Sequence, residues 1–311
     1  MRTFTGTAAA LVTPFTENGQ VDFDALGGLL EHTSSHLDFL VVSGTTAESA
    51  TLSFEEKQAV LKYVVNNNPH NRPIMFGVGG NDTNSVIERI EKFDLEGVDG
   101  ILSVCPYYVR PTQEGIKAHY RAIADASELP IMLYNVPSRT GVNMEAETVI
   151  DLSSHPNIIG IKDAAGDLTQ AMRIIHGTHE SFIFLSGEDT LTVPIISVGG
   201  DGVISVIGNV MPEQYSRVIN SALEGRYKEA SASMYPLLDF NEALFAEGNP
   251  VGVKTALANI GLCRKDVRLP LVAGSETLQN RLNSLYEDAV KNFEIGQVAR
   301  QATEAKKNLA I

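Results

Sequence analysis

The sequence has no tryptophan, only two cysteines, and no apolar run that approaches the ~20 residues a helix needs to cross a bilayer. Cys105 and Cys263 form no CxxC pair and stand in no Cys/His cluster, which excludes a disulfide framework and a zinc site of the usual spacing. Both read as core or near-core thiols. Positive charge is also scarce: 24 Lys and Arg against 38 Asp and Glu leave a net charge of −14. Binding nucleic acid requires clustered cations, so no nucleic-acid partner is expected. No GxGxxG follows the first β-rich run, which removes the main support for a dinucleotide site. The cluster Gly77, Gly79 and Gly80 reads as a tight turn rather than a phosphate cradle. Residues 1–10 lack the basic start and long apolar stretch of a secretory signal, so a cytoplasmic location is expected. The seven histidines fall in helix or loop segments rather than at strand ends and make poor metal ligands there.

What is present is an alternation of short β-rich runs with longer stretches of helical period. Eight such runs occur: 7–13, 39–43, 73–78, 100–105, 130–136, 158–163, 182–187 and 202–207. Helices are expected between them, among others over 54–65, 83–96, 113–126 and 168–176, the first entered by a capping box of Ser53 and Glu56. Eight strand–helix repeats favour a closed (β/α)8 barrel over an open doubly wound sheet. After about Ala222 the β signal stops. The chain therefore divides into a barrel, 1–224, and a C-terminal helical domain, 225–311. Helices are expected there over 229–245, 251–260 and 277–293, with a turn at 246–250 and a loosely packed last helix over 296–309.

Chemistry in such a barrel sits at the C-terminal ends of the strands, which directs attention to a few polar residues. Lys162 follows Ile158, Ile159 and Ile161, an apolar run in which an ammonium is costly to bury. Burial that lowers a lysine pKa leaves a free amine able to attack a carbonyl carbon and form an imine. The competing reading is a strand-end lysine that reaches solvent or pairs with Asp163 or Glu188. Tyr134, at the end of another apolar strand, is either a proton carrier or a core tyrosine with a satisfied hydroxyl. Thr45 and Thr46 offer hydroxyl and N–H donors suited to a small carboxylate, or are plain turn residues. Arg139, in a βα loop, is a two-pronged clamp for a second carboxylate or half of a surface ion pair.

Longer motifs decide between these readings. Tyr134-Asn135-Val136-Pro137-Ser138-Arg139-Thr140-Gly141, Ile158-Ile159-Gly160-Ile161-Lys162-Asp163 and Gly202-Val203-Ile204-Ser205-Val206 resemble the dihydrodipicolinate synthase family of pyruvate-dependent class I aldolases. Gly44-Thr45-Thr46, Pro106-Tyr107-Tyr108, Asn249-Pro250 with Val253-Lys254, and Arg268-Leu269-Pro270-Leu271 extend the resemblance over almost the whole chain. It implies that Lys162 forms an imine with pyruvate, and that the derived enamine adds to L-aspartate 4-semialdehyde to give 4-hydroxy-tetrahydrodipicolinate. Tyr134 would move the proton, relaying through Thr45 to a Tyr108 supplied by a neighbouring subunit. Thr46 and the backbone at Ile204 would hold the pyruvate carboxylate, and Arg139 that of the semialdehyde. No metal or organic cofactor is implied, because the imine itself takes up the electrons. A homo-oligomer of at least two subunits follows, with a tetramer expected.

Two departures from the family pattern are small: Ala47 stands where glycine is usual, and Asp163-Ala164-Ala165-Gly166 where Glu-Ala-Thr-Gly is usual. A third bears on regulation. Phe54, Lys57 and Ser85 occupy positions where lysine-inhibited members carry histidines and a glutamate, whereas Ser49, Asn81 and Tyr107 are retained. Feedback inhibition by lysine is therefore expected to be weak or lost. The alternatives are a sister aldolase, such as N-acetylneuraminate lyase or a 2-keto-3-deoxy sugar acid aldolase, and a catalytically silent barrel that senses a keto acid. Arg139 within Ser138-Arg139-Thr140-Gly141 argues against the sugar aldolases, and the complete proton relay against the sensor.

Overall fold

A computed structural model describes residues 3–308, with side chains through residue 293. Eight parallel strands close a barrel in sequence order: β1 Gly6–Ala10, β2 Phe39–Val42, β3 Ile74–Gly77, β4 Gly100–Val104, β5 Ile131–Asn135, β6 Ile158–Asp163, β7 Ile183–Ser186 and β8 Gly202–Ser205. The ring shuts where β1 pairs with β8, Gly6 opposite Gly202. Gly202 has φ +146, and a Cβ there would lie 2.0 Å from the Gly6 carbonyl oxygen, so the seam needs glycine.

The strands read as continuous apolar runs because both their faces are covered. Outward side chains such as Leu40, Phe76, Ile101, Leu133 and Ile161 meet the helices. Inward side chains, among them Phe39, Met75, Leu102, Met132, Leu185 and Ile204, fill the barrel and leave no pore. Phe4 closes the N-terminal end with its ring edge-on to Phe39, centroids 5.3 Å apart.

Most expected elements appear where the pattern placed them, and the capping box forms in both directions, Glu56 N–H to Ser53 Oγ at 3.1 Å and Ser53 N–H to Glu56 Oε2 at 2.9 Å. Three expectations need correction. The helix Thr83–Lys92 stops short of residue 96 because Phe93 turns extended and buries its ring between Phe54 and Phe76. The segment 229–245 is not one helix: Tyr227–Met234 and Leu238–Phe245 flank a single 3-10 turn, Tyr235–Leu237. Pro236, which cannot donate the helical hydrogen bond, sits at that break. The last two expected helices are one, Glu276–Asn308; a lone Gly296 costs only about 1 kcal/mol and does not stop it. Leu309 lies outside the described residues.

The helices after β8 do not form a detached unit. Leu238–Phe245 and the residues that lead into Val251–Asn259 lie across the C-terminal mouth of the barrel, where they help to wall a cavity. Among the described residues no helix is long and apolar enough to cross a membrane.

Candidate active site

Strand parity sets the direction of each side chain on β6. Ile161 and Asp163 face outward and Lys162 faces in, so the ammonium emerges at the top of the filled barrel, 7% exposed. Lys162 pairs in register with Tyr134 on β5 and with Leu185 on β7. Its Nζ lies 4.5 Å from the centroid of the Tyr134 ring, a cation–π approach between two buried groups. Gly187, just past β7, is required for this arrangement. A Cβ there would meet Lys162 Cε at 3.0 Å and Ala164 Cβ at 2.7 Å.

The alternative that Lys162 pairs with Asp163 fails, because the two point to opposite faces of one strand. The Asp163 carboxylate instead accepts from Asn135 Nδ2 at 2.8 Å, the same amide reaching Asn143 Oδ1 at 2.8 Å, and Asn143 continues to Gln170. Burial pushes the Asp163 carboxyl up to about 6 against the pull of these donors. Glu188, on the loop after β7, shares the cavity with Lys162; burial and then Asp189 raise its pKa, and the Lys162 charge opposes them.

Thr45 and Thr46 form a 3-10 turn, Thr45–Ala47, after β2, reached through Ser43 at φ +60. Gly77 on β3 makes room for that turn, since a Cβ would fall 2.3 Å from the Ser43 carbonyl oxygen. Gly79 likewise serves close backbone approach, a Cβ there falling 2.8 Å from the Val104 backbone nitrogen, whereas Gly80 lies against the Arg89 and Val86 side chains. Thr46 is buried, and its Oγ1 accepts from Asn249 Nδ2 at 3.0 Å. Arg139 sits in the short helix Pro137–Thr140 and extends to the rim. After β8, Asp189 Oδ2 accepts the N–H groups of Val206 at 2.9 Å and Ile207 at 3.0 Å, which fixes the exit of the strand carrying Ile204.

Five of the seven sequence-derived residues, Lys162, Tyr134, Thr45, Thr46 and Arg139, line one cavity of about 730 Å³. Ile204 is not on its wall; it is 1% exposed in the barrel interior beneath it. Tyr108 is absent from the wall as well. It is 87% exposed at φ +71, and its backbone N–H donates to the Thr140 carbonyl at 3.2 Å. The motif reading missed the roof: Asp239, Asn241, Glu242 and Phe245 from the helix Leu238–Phe245 close the cavity from the C-terminal side. No spacing links that helix to the barrel motifs, so only the three-dimensional packing reveals it.

A second cavity of about 500 Å³ shares Thr45, Tyr134, Arg139 and Asn249 with the first and continues past Tyr107 to Lys57 and Arg89. Burial, and then the neighbouring Arg89 charge, lower the pKa of the Lys57 ammonium. Elsewhere burial raises the Cys105 thiol to about 12 and the Cys263 thiol to about 11. Both cysteines are thus unreactive packing groups. Among the described residues no cluster of three His, Cys, Asp or Glu is arranged to hold a metal.

The chain is similar to known proteins over nearly its whole length. The 4-hydroxy-tetrahydrodipicolinate synthase of Cytophaga hutchinsonii is 46% identical over 294 residues, 94% of this chain and 99% of its own. The structure of the 4-hydroxy-tetrahydrodipicolinate synthase from Methylacidiphilum fumariolicum SolV superposes with a TM-score of 0.90 at 39% identity, covering 94% of this chain and 97% of that one. The dihydrodipicolinate synthase of Aquifex aeolicus gives 0.88 at 40% identity, covering 91% and 97%. The sequence model of the dihydrodipicolinate synthetase family matches residues 3–289, which includes every residue of the cavity wall, and the chain belongs to that family.

Proposed function

We propose that the protein is a 4-hydroxy-tetrahydrodipicolinate synthase, a lyase that joins pyruvate to L-aspartate 4-semialdehyde through an imine on Lys162. The observation that carries this is the buried Lys162 ammonium against the Tyr134 ring in a cavity whose rim holds Arg139. Lys162 Nζ, as free amine, attacks the keto carbon of pyruvate, and water leaves with protons carried by Tyr134. Loss of a methyl proton gives the enamine, which attacks the aldehyde carbon of the semialdehyde. The substrate's own amine then displaces Lys162, which closes the ring and regenerates the free lysine.

Each remaining residue has a part in this reading. Thr46 and the backbone at Ile204 bind the pyruvate carboxylate, and Arg139 clamps the carboxylate of the second substrate bidentately. Thr45 passes the proton between Tyr134 and a Tyr108 contributed by another subunit. The exposure of Tyr108 supports that last role, since its phenol is free to enter a neighbour's site. The active form is accordingly a homo-oligomer of at least two chains, with a tetramer expected, in the cytoplasm. Residues 1–224 form the catalytic barrel and 225–311 a helical domain that roofs it.

The test of the acceptor is competition. Purified protein is given pyruvate with aspartate semialdehyde, with N-acetylmannosamine or with glyceraldehyde. Turnover of the semialdehyde alone is expected. Turnover of a sugar alone would move the chain to a sister aldolase.

A further inference from the structure

Among the described residues the most deeply buried ion pair lies outside the cavity that holds Lys162. Lys254 Nζ donates to Glu48 Oε1 at 2.6 Å, with the two side chains 0% and 1% exposed. A buried pair of this kind is a costly way to gain stability, because desolvation of both charges offsets their attraction, so its place in the fold calls for a reason. Glu48 is the residue that ends the Thr45–Ala47 turn, in the left-handed region at φ +55. A side chain is rarely held there without outside support. Its N–H donates to the Thr45 carbonyl at 3.1 Å, so moving Glu48 moves the threonine turn.

All the outside support comes from the C-terminal domain. Glu48 Oε2 accepts the Arg268 backbone N–H at 2.8 Å. Lys254 completes its shell with the Asp266 carbonyl at 2.8 Å and lies 3.9 Å from the centroid of the Phe15 ring. Arg268 in turn donates through its guanidinium to the Thr51 carbonyl, to the Gly19 carbonyl and to Glu56, with its Cζ 4.4 Å from the centroid of the same ring. Five residues before Lys254, Asn249 donates to Thr46 Oγ1. That bond occupies a lone pair of the Thr46 oxygen and leaves its O–H free to donate elsewhere.

We propose that Glu48 and Lys254 are positioning residues for the reaction. The buried pair anchors the Thr45–Ala47 turn to the C-terminal domain, so that Thr46 presents its hydroxyl to the pyruvate carboxylate and Thr45 stays in line with Tyr134. The inference rests on the carboxylate role given to Thr46 above. It makes the helical domain a part of the pyruvate site, acting through contacts more than 200 residues apart in sequence.

The test uses the full-length enzyme. Lys254→Met alone leaves an uncompensated buried carboxylate and can unfold the chain, so the informative variant is Glu48→Gln with Lys254→Met, a neutral pair of similar volume. Glu48→Gln alone keeps an oxygen that can accept from Lys254 Nζ but leaves that ammonium without its counter-charge, so it serves as a second variant only where its melt is cooperative. Both are expected to melt cooperatively, to raise KM for pyruvate roughly tenfold through a misplaced turn, and to leave KM for the semialdehyde unchanged. A purely structural role would lower the melting temperature and leave both KM values as in the parent. A folded double variant with the parental KM for pyruvate would overturn the proposal. Thr46→Val is measured alongside. If it too leaves KM for pyruvate unchanged, the fault lies with the role given to Thr46 and not with the anchor.

Discussion

Lys162 and Tyr134 are register partners on adjacent strands, and the lysine Nζ stands 4.5 Å from the tyrosine ring centroid. The phenol is therefore carried on the strand next to the amine, and its position depends on the barrel rather than on a loop. Tyr134→Phe keeps the ring and removes only the proton carrier. It is expected to lower kcat by about a hundredfold or more while the lysine is still labelled by pyruvate and borohydride. Steady-state kinetics with mass mapping of the adduct checks both halves.

Arg139 approaches the cavity from its rim and not from the barrel floor. Arg139→Ala is expected to raise KM for the semialdehyde by about 10- to 100-fold, the usual loss for a charge-assisted hydrogen bond. KM for pyruvate should stay within a factor of two or so. Lys at this position should recover little, since an ammonium cannot make the two-pronged contact. Equal loss for both substrates would contradict the division of roles.

Lysine feedback is expected to be weak or lost. Lys57 lines the second cavity beside Arg89, so a ligand ammonium would meet two like charges there. Phe54 is stacked on Phe93 with centroids 4.3 Å apart and has no polar atom to offer. Assay of the enzyme across a lysine titration checks this; half-inhibition at sub-millimolar lysine would refute it.

His119 and Asp163 act in opposite senses on acid stability. Burial holds the His119 imidazole down at about 4 from its ordinary 6.5, and its Nδ1 meets Thr83 Oγ1 at 2.9 Å. The unfolded chain takes up that proton first, so stability from His119 is full above pH 6.5 and is lost as pH falls toward 4. The Asp163 carboxyl, raised to about 6 from 3.8, costs stability as pH rises through that window. Relative to the parent, His119→Gln should therefore gain on the order of 3 kcal/mol between pH 6.5 and 4, read from urea unfolding at several pH values. A pH-independent difference between the two proteins would contradict the assignment.

The barrel was legible because its signals are local: apolar β-rich runs bounded by caps and glycines recur eight times, and each run became a strand. Lys162 was visible as a charge directly after the apolar run Ile158 to Ile161, and the motifs around Tyr134 and Arg139 supplied its company. The break at Pro236 was missed, because helical period runs on both sides of it and 229–245 reads as one helix. What was not legible is contact across the chain. The roof from Asp239 to Phe245 and the pairing of Glu48 with Lys254 depend on how the last helices fold back over the barrel mouth, and no periodicity encodes that return. Nor does spacing reveal that Asp163 serves Asn135 rather than its neighbour Lys162; strand parity explains it once the strand is placed.

Everything in the reaction turns on Lys162 being the amine that binds pyruvate. Incubation with pyruvate and borohydride, then proteolysis and mass mapping, tests it directly. A reduced pyruvyl adduct is expected on the peptide carrying Lys162, and none when Lys162 is replaced by Ala. Absence of the adduct, or its appearance on another lysine, would contradict it.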